Sequence, residues 1–236
     1  MTPLEAFDLI ASAELLEHRI KSIAKEFAPR SLLAREASWL GSAHECIAQG
    51  LRGLDDLMTR ALFLPELANV RNERVRVLQG AAVDAVEALH GSIREADGER
   101  SPLLEALYTN LKVLPLRRAH QDDFDAFCTE FDRRLDASYP KRMLAGERYA
   151  SVTPALAELR RAFAEWRSLV LCAPLSEDDT HALTNEIQAA AVRLELPCRQ
   201  AMLLAEAALL AAPDLRDASG IFDKMRKRMR STRNET

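Results

Sequence analysis

The chain has 236 residues, 48% apolar and 29% charged, with a formal net charge of −4. That balance excludes a disordered chain, and a pI near 5.8 excludes a uniformly basic nucleic-acid binder. Only 8 Gly and 10 Pro punctuate it, too few for a turn-rich strand architecture.

The apolar residues are 38 Ala and 36 Leu against 9 Val and 7 Ile. Ala and Leu lose little side-chain freedom in a helix, whereas β-branched residues suit a sheet. The expected fold is therefore all-α, a multi-helix bundle of eight or nine helices in two layers or subdomains. One domain is expected over 1–236. Residues 137–152, the longest stretch without periodicity, are the expected subdomain hinge.

Prolines delimit the elements, because proline fits the first turn of a helix or lies beyond its ends. Thr2-Pro3-Leu4-Glu5 is a capping box opening a first helix, with Ala6, Ile10, Ala13, Leu16, Ile20, Ile23 and Phe27 on its core stripe. A second helix is read over 31–62, interrupted in propensity by Gly41, Gly50 and Gly53. A third covers 66–95 on Val75, Leu78, Ala82, Val86, Leu89 and Ile93. Ser101-Pro102 starts a short fourth, and Phe124, Phe127, Phe131 and Leu135 mark a fifth.

Thr153-Pro154 opens a sixth helix carrying Leu159, Phe163 and Trp166. Ser176 and Asp179 open a seventh, on Leu183, Ile187, Ala191 and Leu194. An eighth, from Cys198 to Ala212, is apolar almost all round and is expected to be central and buried. Glu206, its one charge, is assigned to a polar surface edge. The last helix begins near Asp214 and Asp217 and carries Ile221, Phe222, Met225 and Met229 on one side.

The run 201–212 is too short to cross a bilayer, so no transmembrane segment is expected. No secretory leader follows the acidic start, so the protein is read as cytoplasmic. Arginine outnumbers lysine, as in a GC-rich bacterial genome. Cys46, Cys128, Cys172 and Cys198 form no CxxC pair and are read as buried thiols.

Few polar constellations stand out. Glu17-His18-Arg19-Ile20-Lys21-Ser22-Ile23-Ala24 places His18, Lys21 and Ser22 together on the solvent side of the first helix. An exposed imidazole beside a lysine and a small residue can accept a phosphoryl group. The string resembles the phosphorylated-histidine segment of bacterial histidine phosphotransfer domains and of some histidine kinases. Ser22 stands where those families generally have Gly or Asn, and no nucleotide-binding domain follows.

Metal is not expected. Glu87-x-x-His90 and Asp178-x-x-His181 have the spacing of di-iron bundles, but the single glutamates such a site needs, Glu14 and Glu45, are not on core stripes. No cofactor fingerprint, P-loop or nucleophile elbow occurs.

Residues 223–236 form a basic helix end and a frayed tail. Phe222, Met225 and Met229 make an apolar seam there, flanked by Arg226, Lys227, Arg228 and Arg230, that suits a protein partner, an anionic surface or nucleic-acid phosphates. The helix after Pro154 shows a similar arginine-edged seam and is a second expected partner surface.

The expected function is that of a non-enzymatic helical interaction, scaffold or adaptor subunit of a cytoplasmic assembly, in a homo- or hetero-oligomer. The alternatives are a phosphotransfer module using His18 and a nucleic-acid-binding subunit using the C-terminal basic segment.

Overall fold

The computed structural model describes residues 1–109, 113–215 and 220–231, which form ten α-helices joined by short 3-10 turns, with no strand among them. The fold is all-α. No helix among the described residues is long and apolar enough to cross a membrane. The chain divides into two compact units. One is Met1–Ala68 with Leu175–Thr236, and the other is Asn69–Pro174. Residues 137–152 fall inside the second unit, so neither boundary lies at the expected hinge.

The first unit is built on α1 (Pro3–Phe27), α2 (Ala34–Leu51) and α9 (Glu177–Leu209), packed on one another. The Thr2 capping box forms as expected: Glu5 N–H donates to Thr2 Oγ1 at 3.2 Å, and Thr2 N–H to Glu5 Oε2 at 2.7 Å. All seven predicted stripe residues of α1 are buried, as are Leu40, Ala43 and Ile47 of α2.

The helix expected over 31–62 is two helices. Gly53 adopts φ +80°, a left-handed conformation that side-chain-bearing residues rarely take. The chain turns there into α3 (Asp55–Ala61), which packs on α9. The last helix, α10 (Ile221–Ser231), lies on α1.

The seventh and eighth expected helices are one. Pro197 stands inside α9 rather than ending it. Proline removes one backbone hydrogen bond and crowds the preceding turn, at a cost of about 3 kcal/mol. The stripe Leu183, Ile187, Ala190, Leu194, Cys198, Ala201, Ala205 and Ala208 runs buried through that point, so packing on α1 and α2 holds one continuous axis.

The second unit contains α4 (Ala68–Asp97) from residue 69 onward, α5 (Pro102–Tyr108), α6 (Gln121–Leu135), α7 (Ser138–Leu144) and α8 (Thr153–Val170). Its core is aromatic. Phe124 meets the Trp166 ring edge-on at 4.8 Å, and Phe127, Phe131 and Phe163 pack around them at 5.6–6.3 Å. Leu159, Phe163 and Trp166 are thus buried in their own unit. The arginines edging that seam are also engaged: Arg167 binds Asp132 at 2.7 Å and Asp125 at 3.3 Å on α6, and Arg160 reaches Asp136 at 3.4 Å. The seam of α8 is core, not the partner surface expected from sequence, because α6 supplies both its aromatic cover and its counter-charges.

Asp97 closes the end of α4. It accepts from Ser101 Oγ at 2.6 Å and Tyr149 Oη at 2.7 Å, and it pairs with Arg148. These hydrogen bonds hold its carboxyl below the usual 3.8. A depressed carboxyl pKa stabilises the fold above the unfolded value and loses that contribution as pH falls through the folded one. Asp97→Asn is therefore expected to lower Tm at pH 7, with the gap from wild type narrowing as the pH falls below the usual carboxylate range, in thermal melts followed by circular dichroism.

Candidate functional site

Three places collect the residues with functional potential. The first is on α1. His18 is exposed, with 84% of its side chain accessible, and Lys21 and Ser22 lie exposed beside it as the spacing predicts. Its Nδ1 stands 2.9 Å from Glu17 Oε2, and the other oxygen of that carboxylate meets His44 Nε2 of α2. The contact arises because α1 and α2 run back along each other, with Glu17 and His44 equally far from the connecting turn. A carboxylate only accepts, so both imidazole nitrogens facing it are N–H donors. The tautomer of His18 is thereby set, with Nε2 carrying the lone pair. Helical spacing puts His18 on the solvent side but carries no signal for the rotamer that brings Glu17 onto its Nδ1, nor for His44, whose contact depends on helix pairing.

Nearby on α1, the Glu14 carboxyl is pushed upward by burial and by the charge of Asp55. Among the described residues no three His, Cys, Asp or Glu side chains are grouped to hold a metal ion.

The second place is a cleft of about 240 Å³ in the Asn69–Pro174 unit, lined by Glu87, His90, Tyr108 and Val113. Glu87 is paired with Arg117 at 3.2 Å. His90 is half-buried and meets the Tyr108 ring edge-on at 4.9 Å, and the Tyr108 hydroxyl donates to the Val86 carbonyl at 2.8 Å. Glu87 and the Tyr108 hydroxyl thus have structural partners, and His90 meets the cleft through its ring contact with Tyr108. Asp178 and His181 are exposed in the first turn of α9, in the other unit.

The third place is the surface formed by α9 and α10. Phe222 and Met225, expected as a free seam, are buried, and α10 lies on α1. Arg226 pairs with Glu206, and Arg228 reaches Asp8 at 3.5 Å and Ser12 of α1. Both arginines thus face acids of α9 and α1 while staying more than two-fifths exposed. Lys224 and Lys227 are exposed. The side chains of Met229 and Arg230, and the tail 232–236, lie outside the described residues, as does Asp217.

Helix α9 departs from its expected burial. Val192, Leu196, Leu203 and Leu210 are 59%, 62%, 69% and 71% exposed. At about 100° per residue they share an arc of roughly 40°, on the side opposite the buried stripe. The helix is apolar on two faces and packs only one of them. Glu206, half-buried, sits at the edge of the outer row beneath Arg226, consistent with the polar edge assigned to it.

The cysteines divide. Cys128 and Cys198 are buried, and burial pushes both thiols up to about 12, which suits inert packing. Cys46 is half-buried, whereas Cys172 is exposed, contrary to the reading of all four as core. No family model, curated protein or solved structure matches the chain.

Proposed function

We propose that the protein is a non-enzymatic helical interaction subunit of a cytoplasmic assembly and that α9 is its docking element. The observation that carries this is the exposed row Val192, Leu196, Leu203 and Leu210. Single exposed leucines are ordinary on soluble proteins. Four aligned along one side of a long, firmly packed helix and its C-cap, with Arg199 and Glu206 between them, make an amphipathic seam of the kind that binds a partner helix. A photo-crosslinking residue at Gln200, beside the strip, tests this in the native host. A discrete adduct that disappears with Leu203→Glu is expected; an adduct indifferent to that change, or none, sinks the proposal.

A second reading is favoured by the Glu17–His18 contact. A carboxylate on Nδ1 orients the imidazole and leaves the lone pair on exposed Nε2, which suits attack on a phosphorus atom. The donor would be an acyl phosphate such as a phosphorylated receiver aspartate. The P–O bond to the acyl oxygen breaks as Nε2–P forms, and Lys21 balances the added charge. Acid-labile label from acetyl phosphate is expected on the wild type and absent from His18→Gln. Equal labelling of both removes this reading.

A further inference from the structure

We propose that the occupant of the outer face of α9 is a second copy of this chain, with the two α9 helices antiparallel about a two-fold axis at Leu203. The proposal rests on the reading of α9 as the docking element and names its partner. Leu196, Leu203 and Leu210 recur every seven residues, the period of a seam that stays in register with a facing helix. Val192, Arg199 and Glu206 occupy the alternate positions of the same heptads, so the seam carries one cation and one anion, about one turn on either side of Leu203.

That arrangement selects orientation. A parallel, in-register pair would set Arg199 against Arg199 and Glu206 against Glu206, two like-charge contacts in a partly dry seam. An antiparallel pair centred on Leu203 brings Arg199 of one copy beside Glu206 of the other, twice, while Leu196 approaches Leu210 of the second copy. An isologous two-fold interface demands this self-complementarity, and a seam evolved for a different chain has no need of it. Within one chain Arg199 lies 3.5 Å from Glu195, and Glu206 pairs with Arg226, whose guanidinium also lies 3.7 Å from Asp223. Both remain about one-third exposed and within reach of a facing helix.

Sedimentation equilibrium on the purified full chain tests the proposal. A concentration-dependent dimer is expected. Leu203→Glu should weaken it by about 100-fold or more, because two carboxylates would be buried at the axis. Circular dichroism should be unchanged, and Tm should match wild type at concentrations where both are monomeric, since residue 203 is 69% exposed within the single chain. Arg199→Glu should weaken the dimer by roughly tenfold, and adding Glu206→Arg should restore it. A wild type that stays monomeric at about 200 µM overturns the proposal, as does a dimer that survives Leu203→Glu. The Gln200 crosslink separates this from the broader reading. An adduct of two chain masses supports self-pairing, an adduct to a different protein overturns it while leaving α9 a docking element, and no adduct ends both.

Discussion

Trp166→Ala is expected to destabilise the protein by about 3–5 kcal/mol, the largest effect of any single change considered. Trp166 is fully buried, with Phe124 against its ring at 4.8 Å and Leu159, Phe163 and Leu169 buried on the same helix. Removing the indole leaves a void that α6 and α8 cannot close, because Arg167 bound to Asp125 and Asp132 fixes their spacing. Trp166→Phe separates the contributions. The indole Nε1–H is buried with no hydrogen-bond partner among the described residues, a cost that phenylalanine removes. Phe is therefore expected to cost under half of what Ala does. Chemical denaturation followed by circular dichroism measures both, and the fluorescence of Trp39, in the other unit, reports independently of the substitution.

Gly50→Val is expected to cost about 3 kcal/mol, through separation of α2 from α9. A Cβ at residue 50 would lie 2.7 Å from Leu194 Cδ2 and 3.4 Å from Pro197 Cβ. Leu194 is itself buried, and the proline ring cannot rotate away. Gly50→Ala places one carbon in that contact, yet it gains about 1 kcal/mol of helix propensity. The net for Ala is thus expected to be far smaller, and the Val-to-Ala difference in urea midpoints reads the close approach directly. Equal costs for the two variants would mean that α2 is not held this tightly.

The two positions also show what is legible in a linear sequence. The stripe of α1 and the phenylalanines of α6 were visible because a helix repeats every 3.6 residues and must hide one side. The Thr2 capping box and the Ser101 and Ser176 caps are visible because they satisfy the backbone locally. Gly53 broke a helix where only interrupted propensity was evident, since a left-handed turn is needed to bring α3 back onto α9. Pro197 failed as a stop for the converse reason: its penalty is local, while the packing that overrides it comes from α1 and α2, far away in the chain.

The same distinction governs the candidate sites. His18 is legible as an exposed helix residue with Glu17 beside it in sequence; that the same carboxylate also meets His44 is not, because that contact needs the α1–α2 pairing. The seams of α8 and α10 looked alike on paper and free. They are covered because Asp125 and Asp132, and Asp8 and Glu206, stand where neighbouring helices place them. Conversely, the aliphatic run after Pro197 looked wholly buried, and its outer row is the one left uncovered.

Helix content, most of the core stripes, the caps and the absence of strands among the described residues were determined by sequence alone, since each depends on side-chain pattern and backbone chemistry within a few turns. The division into two units, with one assembled from both ends of the chain, was decided only in three dimensions. So was the choice of which apolar face meets solvent. Periodicity states that a face is apolar; the geometry of distant partners states whether anything is there to cover it.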